Sequence, residues 1–133
     1  RSQSVTIINP ERYHIEGYIN MPLALASADL VLSRSGASTL AEIAAARLPS
    51  VLVPYPYAYA DHQTLNAQVF AKNRAAFVIE DSDLDPEKLS RLINGLHRKQ
   101  SLRSDMSARS ANVFGENAAG RIAREVISLA ENA

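Results

Sequence analysis

Ala28-Asp29-Leu30-Val31-Leu32-Ser33-Arg34-Ser35-Gly36-Ala37-Ser38-Thr39-Leu40-Ala41-Glu42 is the most informative segment of the chain. A short apolar run ends in small polar residues and opens into an alanine-rich segment, the pattern of a strand that turns directly into a helix. In open α/β sheets that junction is where ligands bind. Small side chains leave the turn open, and the unpaired N–H groups of the first helical turn, with the positive end of the helix dipole, attract phosphate or sugar oxygens. Glu42, three residues after Thr39, is acceptor-only when ionised and suits a diol such as a ribose. The same Thr39 and Glu42 also fit a capping box, in which each satisfies a backbone donor of the other, and both readings stand at this point.

A second junction of the same kind lies about twenty residues further on. Ser50-Val51-Leu52-Val53 is the apolar run, and Pro54-Tyr55-Pro56-Tyr57-Ala58-Tyr59-Ala60-Asp61-His62-Gln63-Thr64-Leu65-Asn66-Ala67 leads into another helix, with Asp61 as its expected cap. Two adjacent strand ends would then present polar groups to one crevice. The alternating tyrosines fit a loop packed beside that crevice better than a stacking platform, and Pro54 and Pro56 stiffen the loop by fixing φ.

The rest of the chain continues the alternation. Val5-Thr6-Ile7-Ile8 is a β-branched run before Pro10, and Ile15-Glu16-Gly17-Tyr18-Ile19 is a candidate second strand. Pro22 to Ala28 fits a short helix. Leu30 to Leu32 and Val51 to Val53 fit buried parallel strands, with Thr39 to Arg47 as the helix between them. Asp61 to Asn73 is the next helix, with Leu65 and Val69 on one face, and Ala76-Phe77-Val78-Ile79 is the last strand. Asp85-Pro86 is a cap followed by proline at the first helical position, and Leu89, Leu92, Ile93 and Leu96 recur with helical period. Ser101 is the expected cap of a helix holding Leu102 and Met106, and Asn117 that of a last one turning Ile122, Val126, Ile127 and Ala130 inward.

Composition bounds the function. The 133 residues lie in the single-domain range, and no internal repeat or low-complexity linker divides them. Fourteen basic and fourteen acidic side chains cancel, which argues against a nucleic-acid binder without opposing a local diphosphate site. The absence of cysteine excludes disulfides and thiol catalysis and is compatible with a reducing cytoplasm. No apolar run approaches the roughly 18 residues of a membrane span. His14 and His97 lack metal-like spacing, and Asp81 and Asp83 fit a solvated turn, so no metal site is expected.

The series A-D-L-V-L-S-R-S-G-A-S-T-L-A-E-I-A-A-A-x-L-P-S-V-L-V-P-Y-P, followed by D-H-Q-x-x-N-A, resembles the carboxyl-terminal half of the MurG-type UDP-N-acetylglucosamine transferases, glycosyltransferase family 28. Gly17-Tyr18-Ile19-Asn20-Met21 is similar to that family's F-I-x-x-M segment, with Tyr18 in place of phenylalanine. The resemblance implies a Rossmann-like parallel sheet flanked by helices, part of the carboxyl-terminal half of a GT-B glycosyltransferase. Residues 1–133 would form one partial donor-binding domain. The family's glycine-rich G-G-S-x-G phosphate loop and its amino-terminal acceptor half are not among these residues, so the chain is expected to be part of a longer protein, inactive alone and prone to self-association.

The resemblance also assigns roles to residues. Ile19 would face the uracil through its backbone. Gly36, Ala37, Ser38, Thr39 and Leu40 would line the donor pocket, Glu42 would hold the ribose, and Gln63 would contact the sugar. Arg34 would either pair with phosphate or brace the loop through carbonyls, and His62 and Asn66 would form a wall of the sugar site or orient the helix start. No catalytic base is expected on this side of the cleft, and no cofactor or metal. The implied reaction is inverting transfer of GlcNAc from UDP-GlcNAc to lipid-linked MurNAc-pentapeptide, in a protein peripheral on the cytoplasmic face of the plasma membrane. The alternatives are another UDP-sugar transferase acting on a lipid acceptor, or a non-catalytic nucleotide-sugar-binding module working with a partner chain.

Overall fold

The computed structural model describes residues 9–115 and 118–131. Strands β1 (Val31–Ser33), β2 (Ser50–Leu52) and β3 (Ala76–Val78) form a parallel sheet in the order β1-β2-β3. Parallel neighbours need a crossover between them, and helices α2 (Ala37–Ala45) and α3 (His62–Lys72) supply the two. Helix α1 (Met21–Ala26) precedes the sheet; α4 (Pro86–Arg98), α5 (Gln100–Ser110) and α6 (Ala118–Glu131) come after it.

Alternation along the strands divides the core into two layers. Val31, Leu52, Ala76 and Val78 face Leu40, Ile43 and Ala44 of α2 and Ala67 and Phe70 of α3. On the other face Val51 packs with Leu96 of α4 and Met106 of α5, joined by Leu89, Leu92 and Leu102. The central strand is therefore covered on both sides, which is why Val51, Leu52 and Val53 follow one another without polar alternation. Leu32 and Phe77, the register partners of Val51, stay 47% and 39% exposed on that second face.

Both crossover helices end in the same way. Arg47 and Arg74 take left-handed conformations with φ of 57° and 54°. In each case the left-handed residue's N–H returns to the helix (Arg47 to Ala44 O, Arg74 to Ala71 O), and the next residue's reaches further back (Leu48 to Ile43 O, Ala75 to Phe70 O). These are Schellman motifs, and Leu48 and Ala75 carry the chain straight into the buried cluster. Asp85 caps α4 as its sequence predicts, its Oδ1 accepting from Lys88 N at 2.8 Å, with Pro86 next in line.

Several expectations are corrected. No strand forms at Ile15–Ile19: Pro10–Arg12 is a 3-10 turn, and no strand among the described residues lies beside the segment to pair with it. Val5–Ile8 and Asn117 lie outside the described residues. The Asp61 side chain makes no capping bond, because Ala60 and Asp61 both adopt left-handed φ, 50° and 53°, at the kink that starts α3. Helix α5 begins at Gln100, so Ser101 lies inside it rather than capping it. On α3, Leu65 and Val69 remain exposed while Ala67 and Phe70 enter the core. On α6, Ile122, Val126 and Ile127 are exposed rather than inward, and so is Ala130, because no buried cluster of the described residues includes that stripe.

Candidate functional site

All strands are parallel, so their carboxyl ends share one end of the sheet. The segments that leave the strands at that end build the site. After β1 the chain runs Arg34-Ser35-Gly36 and enters α2, with Gly36 as an extended N-cap, φ −64° and ψ 145°, that offers no side chain. Its carbonyl accepts from Leu40 N at 3.0 Å, the first bond of the helix. The N–H groups of Ala37, Ser38 and Thr39 therefore have no intrahelical acceptor and form the anion-attracting turn. Ala37 and Ser38 are exposed, whereas the Leu40 side chain is 1% exposed and belongs to the core.

The helix start removes the capping-box reading of Thr39 and Glu42. With Gly36 as the cap, Thr39 is the third helical residue and Glu42 the sixth, so the pair is not a capping box. Glu42 is exposed and forms no ion pair among the described residues. It lines a cavity of about 330 Å³ together with Ile19, Met21, Ser33 and Thr39. An adjoining apolar groove of about 510 Å³ is lined by Glu42, Met21, Leu25 and Leu48. Glu42 is thus the one carboxylate of a largely apolar recess, with Ile19, 42% exposed, on its rim.

Gln63 ties the first two strand ends together. Its Oε1 accepts from Ser35 N at 3.2 Å and from Tyr55 N at 3.0 Å, while its backbone carbonyl accepts from Ser35 Oγ at 2.8 Å. Asn66, one turn along α3, donates from Nδ2 to the Ser35 carbonyl at 3.1 Å. His62 is exposed and its Nδ1 is engaged with the Tyr59 carbonyl, which leaves Nε2 as its outward nitrogen. Asn66 therefore anchors α3 to the β1 turn, and the Gln63 amide nitrogen, two N–H donors, is the part of that side chain left over.

Arg34 joins all three strand ends. Nη1 donates to the carbonyls of Val53 at 3.3 Å and Pro54 at 3.0 Å, both beyond β2, and pairs with Asp81 Oδ1 at 2.5 Å beyond β3. The guanidinium also lies 5.6 Å from the centre of the Tyr55 ring, a cation–π distance. Tyr55 in turn meets Tyr57 edge-on at 5.7 Å, while Tyr57 and Tyr59 are 83% and 89% exposed. Tyr55 is thus the member of the run that packs against the site, on Arg34, while Tyr57 and Tyr59 stand in solvent. The reading of Asp81 as a solvated turn residue is corrected by its ion pair. Sequence reasoning also missed Ser35, which is fully buried and serves as the hub of the Gln63 and Asn66 bonds. Its place inside the S-R-S-G turn was the signal that could have found it; nothing in the sequence pointed to Asp81. Among the described residues no cluster of His, Asp and Glu is arranged to hold a metal ion. No helix among them is long and apolar enough to cross a membrane.

Comparisons with known proteins converge. The family model described as the glycosyltransferase family 28 C-terminal domain matches residues 2–122. The chain is 38% identical over 133 residues to the UDP-N-acetylglucosamine--N-acetylmuramyl-(pentapeptide) pyrophosphoryl-undecaprenol N-acetylglucosamine transferase of Moorella thermoacetica, covering 99% of this chain and 36% of that protein. It is 44% identical over 119 residues to the protein of the same name from Chlorobium luteolum, covering 88% of this chain and 32% of the relative. Among solved structures, the crystal structure of Acinetobacter baumannii MurG superposes with a TM-score of 0.71 at 34% identity, over 84% of this chain and 32% of that one. The chain spans about a third of the length of these relatives.

Proposed function

The chain belongs to glycosyltransferase family 28, within its C-terminal domain, and from that premise we propose that it is the part of a transferase that binds UDP-N-acetylglucosamine. The observation that carries the reading is that Thr39, at the open start of α2, and Glu42, an exposed carboxylate with no ion pair among the described residues, line one cavity, while Gln63 is braced against the turn that precedes the same helix. The amides of Ala37, Ser38 and Thr39 receive the diphosphate, and Glu42 accepts from the ribose hydroxyls. The uracil lies against the Ile19 backbone, and Gln63 donates from its amide nitrogen to the sugar. His62 and Asn66 bound the sugar's side of the crevice, Asn66 through the loop it anchors.

In the full-length protein the acceptor is lipid-linked MurNAc-pentapeptide, held by the remaining, amino-terminal part. Its hydroxyl attacks the anomeric carbon with inversion and gives its proton to a base of that remaining part, the bond from that carbon to the UDP oxygen breaks, and negative charge grows on the departing diphosphate. Helix-end amides and Arg34 are preorganised for that charge, which is where such donors lower the barrier. The protein works peripherally at the cytoplasmic face of the membrane. Titrating the chain with UDP-GlcNAc while following backbone amide resonances tests the reading. Shifts concentrated at Ile19, Ala37–Thr39 and Gln63 are expected; shifts confined to the opposite end of the sheet, around Arg47 and Gln100, would refute it.

A further inference from the structure

We propose that Asp81 is the counter-ion of Arg34 and sets the affinity of the crevice for anionic ligands, so that the loop after the third strand governs how tightly the diphosphate is held. The proposal rests on the donor-site reading above. Arg34 does not depend on Asp81 for its position, because the same Nη1 is also held by the Val53 and Pro54 carbonyls and the guanidinium lies over Tyr55. What Asp81 contributes beyond these neutral contacts is charge. At 2.5 Å its charge offsets that of the guanidinium, and the two side chains, 47% and 35% exposed, are open to solvent. A guanidinium carries five N–H donors, and only those on Nη1 are engaged among the described residues, so Nε and Nη2 remain for a ligand. Only Ser35 and Gly36 separate Arg34 from the open amides of α2.

In this proposal a phosphate at that turn also draws on the guanidinium and shares it with a carboxylate of its own sign. Each negative charge on the ligand feels the repulsion, and a neutral ligand does not. Asp81 lowers affinity in proportion to ligand charge and favours release of the UDP product. A bracing role for Asp81 predicts the opposite sign, since loosening Arg34 would weaken every phosphate-bearing ligand.

Calorimetry on the full-length protein with UDP, UMP and uridine separates the two. Asp81→Asn keeps the shape and removes the charge. It should tighten UDP by roughly two- to fivefold, the scale of one half-exposed charge pair, tighten UMP less, and leave uridine unchanged. The gain should shrink at high ionic strength, Asp81→Glu should restore wild-type affinities, and Asp81→Ser should repeat the charge ordering of the Asn variant. Weaker UDP binding in Asp81→Asn and Asp81→Ser, or equal changes for UDP and uridine, would overturn the proposal while leaving the donor site standing. Failure of the wild-type protein to bind UDP at all would overturn both.

Discussion

Ser35 and Gln63 hold each other through hydrogen bonds that both run from Ser35, its N–H to Gln63 Oε1 at 3.2 Å and its Oγ to the Gln63 carbonyl at 2.8 Å. Because Oε1 also accepts from Tyr55 N, one side-chain oxygen fixes the turns after two strands. Gln63→Ala leaves Ser35 N, in a fully buried residue, without its acceptor and should lower unfolding free energy by about 1–3 kcal/mol, the cost of leaving a buried polar group unsatisfied. Gln63→Glu keeps the acceptor but loses the amide donors, so it should retain stability within about 1 kcal/mol while weakening donor binding. Thermal denaturation of both variants, with donor KM measured in the full-length protein, separates the bracing oxygen from the ligand-facing nitrogen.

Glu42 is exposed on α2 with no protein partner described, so its loss should cost little stability. Glu42→Gln is expected to raise the donor KM in the full-length protein and leave thermal stability within about 1 kcal/mol, below the scale of a lost cap. A large fall in melting temperature with an unchanged donor KM would remove the ribose role.

Arg47 and Arg74 occupy the left-handed position of Schellman motifs, where glycine carries no steric penalty. Arg47→Gly and Arg74→Gly should each raise unfolding free energy by about 0.5–1 kcal/mol, less whatever glycine loses in the unfolded chain. The two sites share no bond, so the double variant should show nearly additive gains in chemical denaturation.

The outer edge of β1 is unpaired among the described residues, and the apolar stripe of α6, with Ile122, Val126 and Leu129 at 66%, 60% and 67% exposure, is uncovered. Such edges and patches drive association. The 133-residue chain is expected to sediment above its 14.5 kDa monomer mass at micromolar concentration and to transfer no GlcNAc alone. A monomer by sedimentation, or transfer to a lipid acceptor, would contradict this.

The strands at Leu30–Leu32, Val51–Val53 and Ala76–Ile79 were legible as short apolar runs between breakers, and all three appear within a residue or so of those positions, although only the central one is covered on both faces. The Asp85 cap was legible because its chemistry is local. Ile15–Ile19 misled because β-branched residues express a preference that only a neighbouring strand can realise. The α6 stripe misled for a similar reason: periodicity shows that a face is apolar, not what covers it. At the site, the turn of residues 34–40, Glu42 and Gln63 were visible from their motifs. The Gln63 bracing and the Arg34–Asp81 pair were not, since they join residues distant in sequence through loops whose geometry composition does not encode.

Under the proposed function this sheet end recognises a uridine diphosphate sugar. Isothermal titration of the chain with UDP-GlcNAc, ADP-glucose and GDP-mannose checks that recognition. The site predicts measurable, millimolar-or-tighter binding of UDP-GlcNAc that is competed by UDP and clearly exceeds binding of the purine-nucleotide sugars. Equal responses to all three, or none to UDP-GlcNAc at millimolar concentration, would contradict it.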